Sequence, residues 1–329
     1  MTLNGITPYY CSMDNKRKRV VVTGGLGFIG QNLVPILAKE GYFPLVIDFL
    51  DPSGIGKITG KWNLIHGIDY RVVTEDIRNI ETVANLLEQE GPAAIIHLAA
   101  KHFIPDCNAN PLETVSINVN GTMELLDIAR RVGIKKFIFA SSAAVYKSSN
   151  QRHKESDALE PIDIYGMSKV AGEWLIRSHS MAREQEGGVE FVVLRLFNVY
   201  GPNDNTPHFI PQIVRQVKAA NIVCHGNLET IRDYVYIGDV VNAIIRALKK
   251  NLPGYTRLNV GSGKGSSGKE IIDLIAKLTN KNLLLKKDPG LSRATDRNRL
   301  IADTHLITSI LGWEAKYLIQ DGLKQLLTQ

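Results

Sequence analysis

Hydrophobic residues in the first two thirds of the chain fall into short unbroken runs, separated by stretches with helical spacing. Val20-Val21-Val22, Leu45-Val46-Ile47, Tyr70 to Val73, Ala94 to His97 and Phe137 to Ala140 each read as a strand. Phe28 to Lys39, residues 80–90 and residues 111–132 read as helices between them. A strand that is apolar at every position is buried on both faces. Such strands alternating with helices build a parallel sheet covered on both sides. The expected fold class is therefore α/β, a Rossmann-type doubly wound parallel sheet with a smaller C-terminal α/β lobe. The rhythm changes after residue 196, where Pro202, Pro207, Pro211, Pro253 and Pro289 punctuate shorter strands. Residues 1–12 read as a tail, with Met13 an alternative start. The first domain is expected over 13–195, rejoined by 234–252, where strand then helix recurs. The second lobe is expected over 196–233 and 253–329.

Composition adds limits. The 329 residues are 44% hydrophobic and 22% charged, ordinary for a globular protein with a sizeable core. Cys11, Cys107 and Cys224 lie far apart, so no disulfide framework or metal site is expected, and a reducing cytoplasm fits. No apolar run is long enough for a membrane span. The formal charge of +6 is concentrated at Lys16-Arg17-Lys18-Arg19, without the broad basic stripe and interleaved aromatics that nucleic acid requires. That run reads as a solvated edge before the first strand.

Candidate chemistry begins between the first strand and the first helix. Gly24, Gly27 and Gly30 permit a tight turn, close backbone approach to a pyrophosphate and close helix–strand packing. Phe28 and Ile29 open a helix whose free N–H groups favour phosphate. Asp48 ends the second strand, where a carboxylate accepts hydrogen bonds from ribose hydroxyls and repels a 2′-phosphate. No Lys or Arg occurs between Asp48 and Lys57, so NAD is expected rather than NADP. Asp76 and Ile77 follow the third strand and are candidates for the adenine side. At Leu98, Ala99 and Ala100 small residues let a cofactor approach the backbone; His97 before them reads as a packed strand residue.

Tyr165 is the only one of eleven tyrosines with Lys at i+4, which places the Lys169 ammonium on the same helix face. A phenol acting as base near neutral pH needs its pKa lowered by ~3 units, about 4 kcal/mol. A neighbouring ammonium and a positive nicotinamide favour phenolate. Ser142 lies beyond the strand Phe137 to Ala140, where a hydroxyl can hold a sugar oxygen while Tyr165 moves its proton.

Together these pieces resemble the extended short-chain dehydrogenase/reductase family, in its nucleotide-sugar epimerase/dehydratase group. The matching segments are TGGLGFIG (23–30), Asp48, EDI (75–77), HLAA (97–100), NVNGT (118–122), SSAAVY (141–146), YGMSK (165–169), LRLFNVYGP (194–202), RDYVYIGDV (232–240) and RATD (293–296), in family order. The resemblance implies that Tyr165 removes a proton from a sugar hydroxyl as NAD is reduced, with Lys169 binding the nicotinamide ribose and Ser142 at the family's Ser/Thr position. Asn118 is implied on the cofactor side, Lys101 and His102 on the substrate side. Asn198 resembles the residue that holds the substrate diphosphate. Arg232 and Arg293 resemble the phosphate and ribose clamp, Asp296 the acid near the nucleoside. His208 and Phe209 begin a helix that contributes to the pocket, His225 takes the place of an aromatic near the base, and Leu300 takes a position that gates sugar size. Dehydratases of the group resemble Thr-Asp-Glu or Thr-Ser-Glu before Val-Tyr or Met-Tyr, and decarboxylases also tend to keep the Glu; here Ala143 and Ala144 exchange no protons. The resemblance therefore implies a nucleotide-sugar 4-epimerase acting on a UDP-hexose or UDP-N-acetylhexosamine, with uracil by family frequency. A 4-ketosugar reductase or atypical dehydratase stands as the alternative, a non-catalytic NAD-binding scaffold behind both. Lys147 replaces the family's usual Gly and is expected to alter the turn beside the sugar. Helices at 111–132 and 163–186 resemble those of a four-helix dimer interface, implying a homodimer.

Overall fold

The structure is a computed structural model that describes residues 17–50, 52–291 and 296–328. The tail expected over 1–12, Met13 and the clamp residue Arg293 lie outside the described residues. The described residues contain thirteen strands, in chain order β1 (Lys18–Thr23), β2 (Tyr42–Asp48), β3 (Arg71–Thr74), β4 (Ala94–His97), β5 (Lys136–Ser142), β6 (Glu190–Leu196), β7 (Asn198–Tyr200), β8 (Ile222–His225), β9 (Ile231–Tyr236), β10 (Gly254–Val260), β11 (Gly265–Ser267), β12 (Leu284–Lys287) and β13 (Arg299–Leu300). Seven of them form one parallel sheet in the order β10-β6-β5-β4-β1-β2-β3.

The unbroken apolar runs are explained by the pleat. Successive side chains point to opposite faces, so Val20 and Val22 enter one core and Val21 the other. The same division separates Ile138 from Phe137 and Phe139, and Val192 and Leu194 from Phe191 and Val193. Helices Phe28–Lys39 and Ile237–Lys249 pack together over one face; helices Ile80–Glu90, Gly121–Val132 and Ile164–Ala182 cover the other. The doubly wound sheet is thus the observed architecture. No helix among the described residues is long and apolar enough to cross a membrane.

One boundary is corrected. Residues 253–329 do not all lie in the second lobe, because β10 adds to the free edge of β6 as the seventh strand of the central sheet. Tyr255, Leu258 and Val260 pack in its two cores. β9 in turn pairs with β7, β11 and β13, outside the central sheet. β8 and β12 form a separate parallel pair.

Chain order reverses between β1 and β4. Ligands bind beyond the carboxyl ends of strands at such a switch point, and the ends of β1, β4, β5 and β6 open into one cleft of about 1610 Å³.

Candidate active site

The turn after β1 is shaped for a dinucleotide. Gly24 has φ +67°, a left-handed conformation that favours glycine, and a Cβ there would lie 2.7 Å from the Ala99 amide nitrogen. A Cβ on Gly30 would lie 2.4 Å from Gly25, so only glycine lets helix Phe28–Lys39 sit this close to the turn. That helix carries no side-chain cap and no acid in its first turn, which leaves its N–H groups facing the cleft beside Gly27, Phe28 and Ile29. Asp48 stands at the same wall and accepts from the amides of Leu26 (2.9 Å) and Phe49 (2.9 Å). Burial raises its pKa, with those amides acting in the opposite direction. Asp76, Ile77, Leu98, Ala99 and Ala100 complete this half. The glycine cradle, the uncapped helix and the carboxylate fit the pyrophosphate and ribose of NAD.

Asn118 is placed differently from its expected cofactor position. It is 2% exposed and lies off the cleft wall, on the π-helical turn Ser116–Asn120. Its amide accepts from the Lys101 N–H (2.8 Å) and donates to the Lys101 carbonyl (2.8 Å) and Ser168 Oγ (2.9 Å). These side-chain hydrogen bonds tie its turn both to the loop after β4 and to helix Ile164–Ala182. His97 behaves as a packed strand residue: it bonds Thr23 and Thr122, and burial takes its pKa down to about 3.

Ser142, Tyr165 and Lys169 meet on the wall between the two halves. Asp163 caps helix Ile164–Ala182 through the Gly166 amide at 2.7 Å, which delivers Tyr165 in the first turn and Lys169 one turn on. Lys169 Nζ donates to the Ala140 carbonyl (2.8 Å) and lies 4.7 Å from the Phe139 ring centroid and 5.8 Å from that of Tyr165. Burial lowers Lys169 to about 8. The phenol departs from expectation. Burial pushes Tyr165 up to about 12, and the opposing influence is a hydrogen bond with Ser142 rather than the Lys169 charge. The Lys169 ammonium donates to the Ala140 carbonyl, and a positive charge beside the phenol favours phenolate.

The residues expected on the substrate side, Lys101, His102, Asn198, His208, Phe209, His225, Arg232, Asp296 and Leu300, all line the cleft. Several are already paired. Arg232 donates to Asp296 at 2.6 Å, Lys101 is ion-paired with Glu113, and His208 contacts Asp204 at 2.9 Å. The His102 and His208 rings stand 5.7 Å apart, and burial lowers the His102 pKa. Ala143 and Ala144 line the cleft next to Ser142. Lys147, expected to reshape this turn, points away: its Nζ pairs with Glu160 at 3.0 Å and is absent from the cleft wall.

Residues that sequence reasoning missed include Lys57 and Lys61. Helix Pro52–Thr59 turns back so that both line the cleft with Asp48, although nothing basic directly follows Asp48 in the sequence. Arg297 is another. At 5% exposure it donates to the carbonyls of Tyr146 (3.1 Å) and Ala144 (2.9 Å), clamping the turn after β5 to the second lobe. No local signal distinguishes it from its neighbours; it is found only from its packing.

A family model described as the NAD dependent epimerase/dehydratase family matches residues 20–261. The chain is 32% identical over 319 residues to a UDP-glucose 4-epimerase of Lacticaseibacillus casei, covering 91% of this chain and 92% of that protein. Among solved structures it is similar to the UDP-glucuronic acid 4-epimerase of Bacillus cereus in complex with UDP-glucuronic acid and NAD, with a TM-score of 0.84, 25% identity, and 94% and 98% of the two chains covered. It is also similar to the UDP-N-acetylglucosamine 4-epimerase of Methanobrevibacter ruminantium, with a TM-score of 0.82, 26% identity, and 95% and 98% covered. The dinucleotide turn, the Tyr165–Lys169 wall and these likenesses agree: the chain is an NAD-dependent enzyme that belongs to the NAD dependent epimerase/dehydratase family, the nucleotide-sugar epimerase group of the extended short-chain dehydrogenase/reductases.

Proposed function

We propose that this nucleotide-sugar epimerase inverts C4 of a UDP-hexose, UDP-N-acetylhexosamine or UDP-hexuronic acid. The observation that carries the reading is one wall bearing Ser142, Tyr165 and Lys169 with Ala143 and Ala144 beside them. Bound NAD supplies an acceptor for the C4 hydrogen, which it later gives back, and a positive ring beside the phenol. Ser142 orients the C4 hydroxyl, and Tyr165 takes its proton once its pKa is lowered. Lys169, held by the Ala140 carbonyl, keeps a positive charge behind the phenol. Returning the hydrogen to the opposite face of the ketosugar gives the epimer, and Tyr165 reprotonates the oxygen. Dehydration needs groups that move the C5 proton and the C6 hydroxyl, which the resemblance places next to Ser142, and two alanines stand there. Asp163, two residues before Tyr165, accepts from the Gly166 amide as the helix cap. Leu300, 7% exposed on the substrate wall, bounds the sugar end with an apolar surface. Arg232 and Asn198 are assigned to the diphosphate, and Asp296 to the nucleoside.

The enzyme acts as a homodimer in this reading. Met167, Trp174 and Met181 form an exposed stripe seven residues apart along helix Ile164–Ala182, at 52%, 58% and 68% exposure. Leu112, Val115 and Met123 are exposed on the neighbouring helices. An apolar face of this extent suits a partner helix pair.

Two properties of purified protein test the reading. Wild type is expected to carry about one NAD per chain through gel filtration, as internal return of the hydrogen requires. Tyr165→Phe is expected to keep that NAD and lose turnover by a factor of roughly 10²–10⁴. A site empty until NADH is added, or wild-type turnover in Tyr165→Phe, would contradict it.

A further inference from the structure

Glu173 lies on helix Ile164–Ala182 one turn beyond Lys169 and is 3% exposed. A carboxylate this deep is costly unless its oxygens are engaged. Oε1 accepts from Ser141 Oγ at 2.6 Å and from Arg195 Nε at 2.9 Å; Oε2 accepts from Arg195 Nη2 at 2.6 Å. Arg195 is fully buried, donates through Nη1 to the Glu155 carbonyl at 3.1 Å and lies 4.8 Å from the Tyr146 ring centroid. Three elements therefore converge on one carboxylate. β5 ends at Ser141 and Ser142, β6 carries Arg195 three residues before Asn198, and the helix carries Tyr165 and Lys169. Neither Glu173 nor Arg195 lines the cleft.

We propose that Glu173 is a positioning residue for the reaction: bound to Ser141 and Arg195 it sets Ser142 against Tyr165, and its charge one helical turn away holds Lys169 as the ammonium. The groups around that ammonium support the second part. They are the Ala140 carbonyl and Phe139 ring of β5, Tyr165 and Glu173 of the same helix, Cys107 of helix Ile104–Ala109, His97 of β4 and His102 of the loop after it. Burial lowers both histidines and raises the Cys107 thiol, which favours the uncharged form of each. Burial lowers Lys169 to about 8; Cys107 and the Glu173 carboxylate, one turn along the same helix, act in the opposite direction.

This inference rests on Tyr165 and Lys169 being the catalytic pair, and its test separates the two. Glu173→Gln keeps the side-chain shape and removes the charge. The expected result is a kcat lower by roughly ten-fold with little change in KM. The alkaline limb of kcat/KM is expected to move down by about one pH unit as Lys169 loses its proton earlier. The Lys169 titration, followed by NMR of ¹³Cε-labelled lysine, is expected to move the same way. A variant that loses only thermal stability, with the pH profile and Lys169 titration of wild type, overturns the proposal. Should Glu173→Gln not fold, Ser141→Ala removes one hydrogen bond to the same carboxylate and no charge. It is expected to lower kcat with the Lys169 titration unmoved, and an unchanged kcat there overturns the positioning role. Turnover in Tyr165→Phe would instead remove the catalytic pair itself.

Discussion

Gly24 shows what one residue contributes to this cleft. Its φ of +67° and the 2.7 Å a Cβ would leave to the Ala99 amide make alanine doubly unfavourable. Gly24→Ala is expected to fold yet purify with substoichiometric NAD, read from cofactor released on denaturation; a fully loaded variant would show that the turn yields. Gly24, Asp48, Tyr165 and Lys169 were legible because each belongs to a local spacing whose chemistry is decided within a few residues. Lys57, Lys61 and Arg297 were not, because what brings them to the site is a returning helix or a lobe contact between distant residues. The raised pKa of Tyr165 was illegible for a related reason. Helical spacing brings an ammonium near the phenol, but only packing reveals that the phenol is buried.

At the scale of elements, the alternating cores explain why strand runs were easy to find, and helix Phe28–Lys39 has the bounds its apolar spacing predicts. The stretch 111–132 reads as one helix but contains the π-helical turn that carries Asn118 inward; a widened turn of five residues leaves no mark in apolar periodicity. The place of β10 depends on which sheet edge is free, not on its own residues. The junction between β5 and helix Ile237–Lys249 is held by Lys136, 7% exposed, whose ammonium donates to the carbonyls of Ala247, Leu248 and Lys250 and pairs with Glu190. These carbonyls belong to the helix end, where a cation is favoured. Lys136→Met leaves them and Glu190 without that partner, and is expected to lower unfolding free energy by roughly 3–5 kcal/mol, measured by urea titration. A loss under 1 kcal/mol would show that solvent replaces the ammonium.

Under the proposed function, the central sheet and the residues that follow it meet around one cleft. The central sheet supplies the NAD turn and the Tyr165–Lys169 wall; the second lobe supplies Arg232, Asp296 and Leu300. Arg297 spans the seam between them. Beyond the single chain, the Met167–Trp174–Met181 stripe predicts the assembly. Trp174→Glu is expected to convert a dimer to a monomer in light scattering with the fold retained by circular dichroism, whereas an unchanged dimer would place the interface elsewhere.

Inversion at C4 within one cleft, with NAD returned to its starting state, is the central claim. It is tested most directly by incubating purified enzyme with UDP-glucose, UDP-N-acetylglucosamine and UDP-glucuronic acid, each without added cofactor, and following the sugar by proton NMR. The account predicts that at least one of them yields its C4 epimer and reaches an equilibrium of the two. A 4-keto-6-deoxy sugar, a decarboxylated product, or turnover only when NADH is supplied would contradict it.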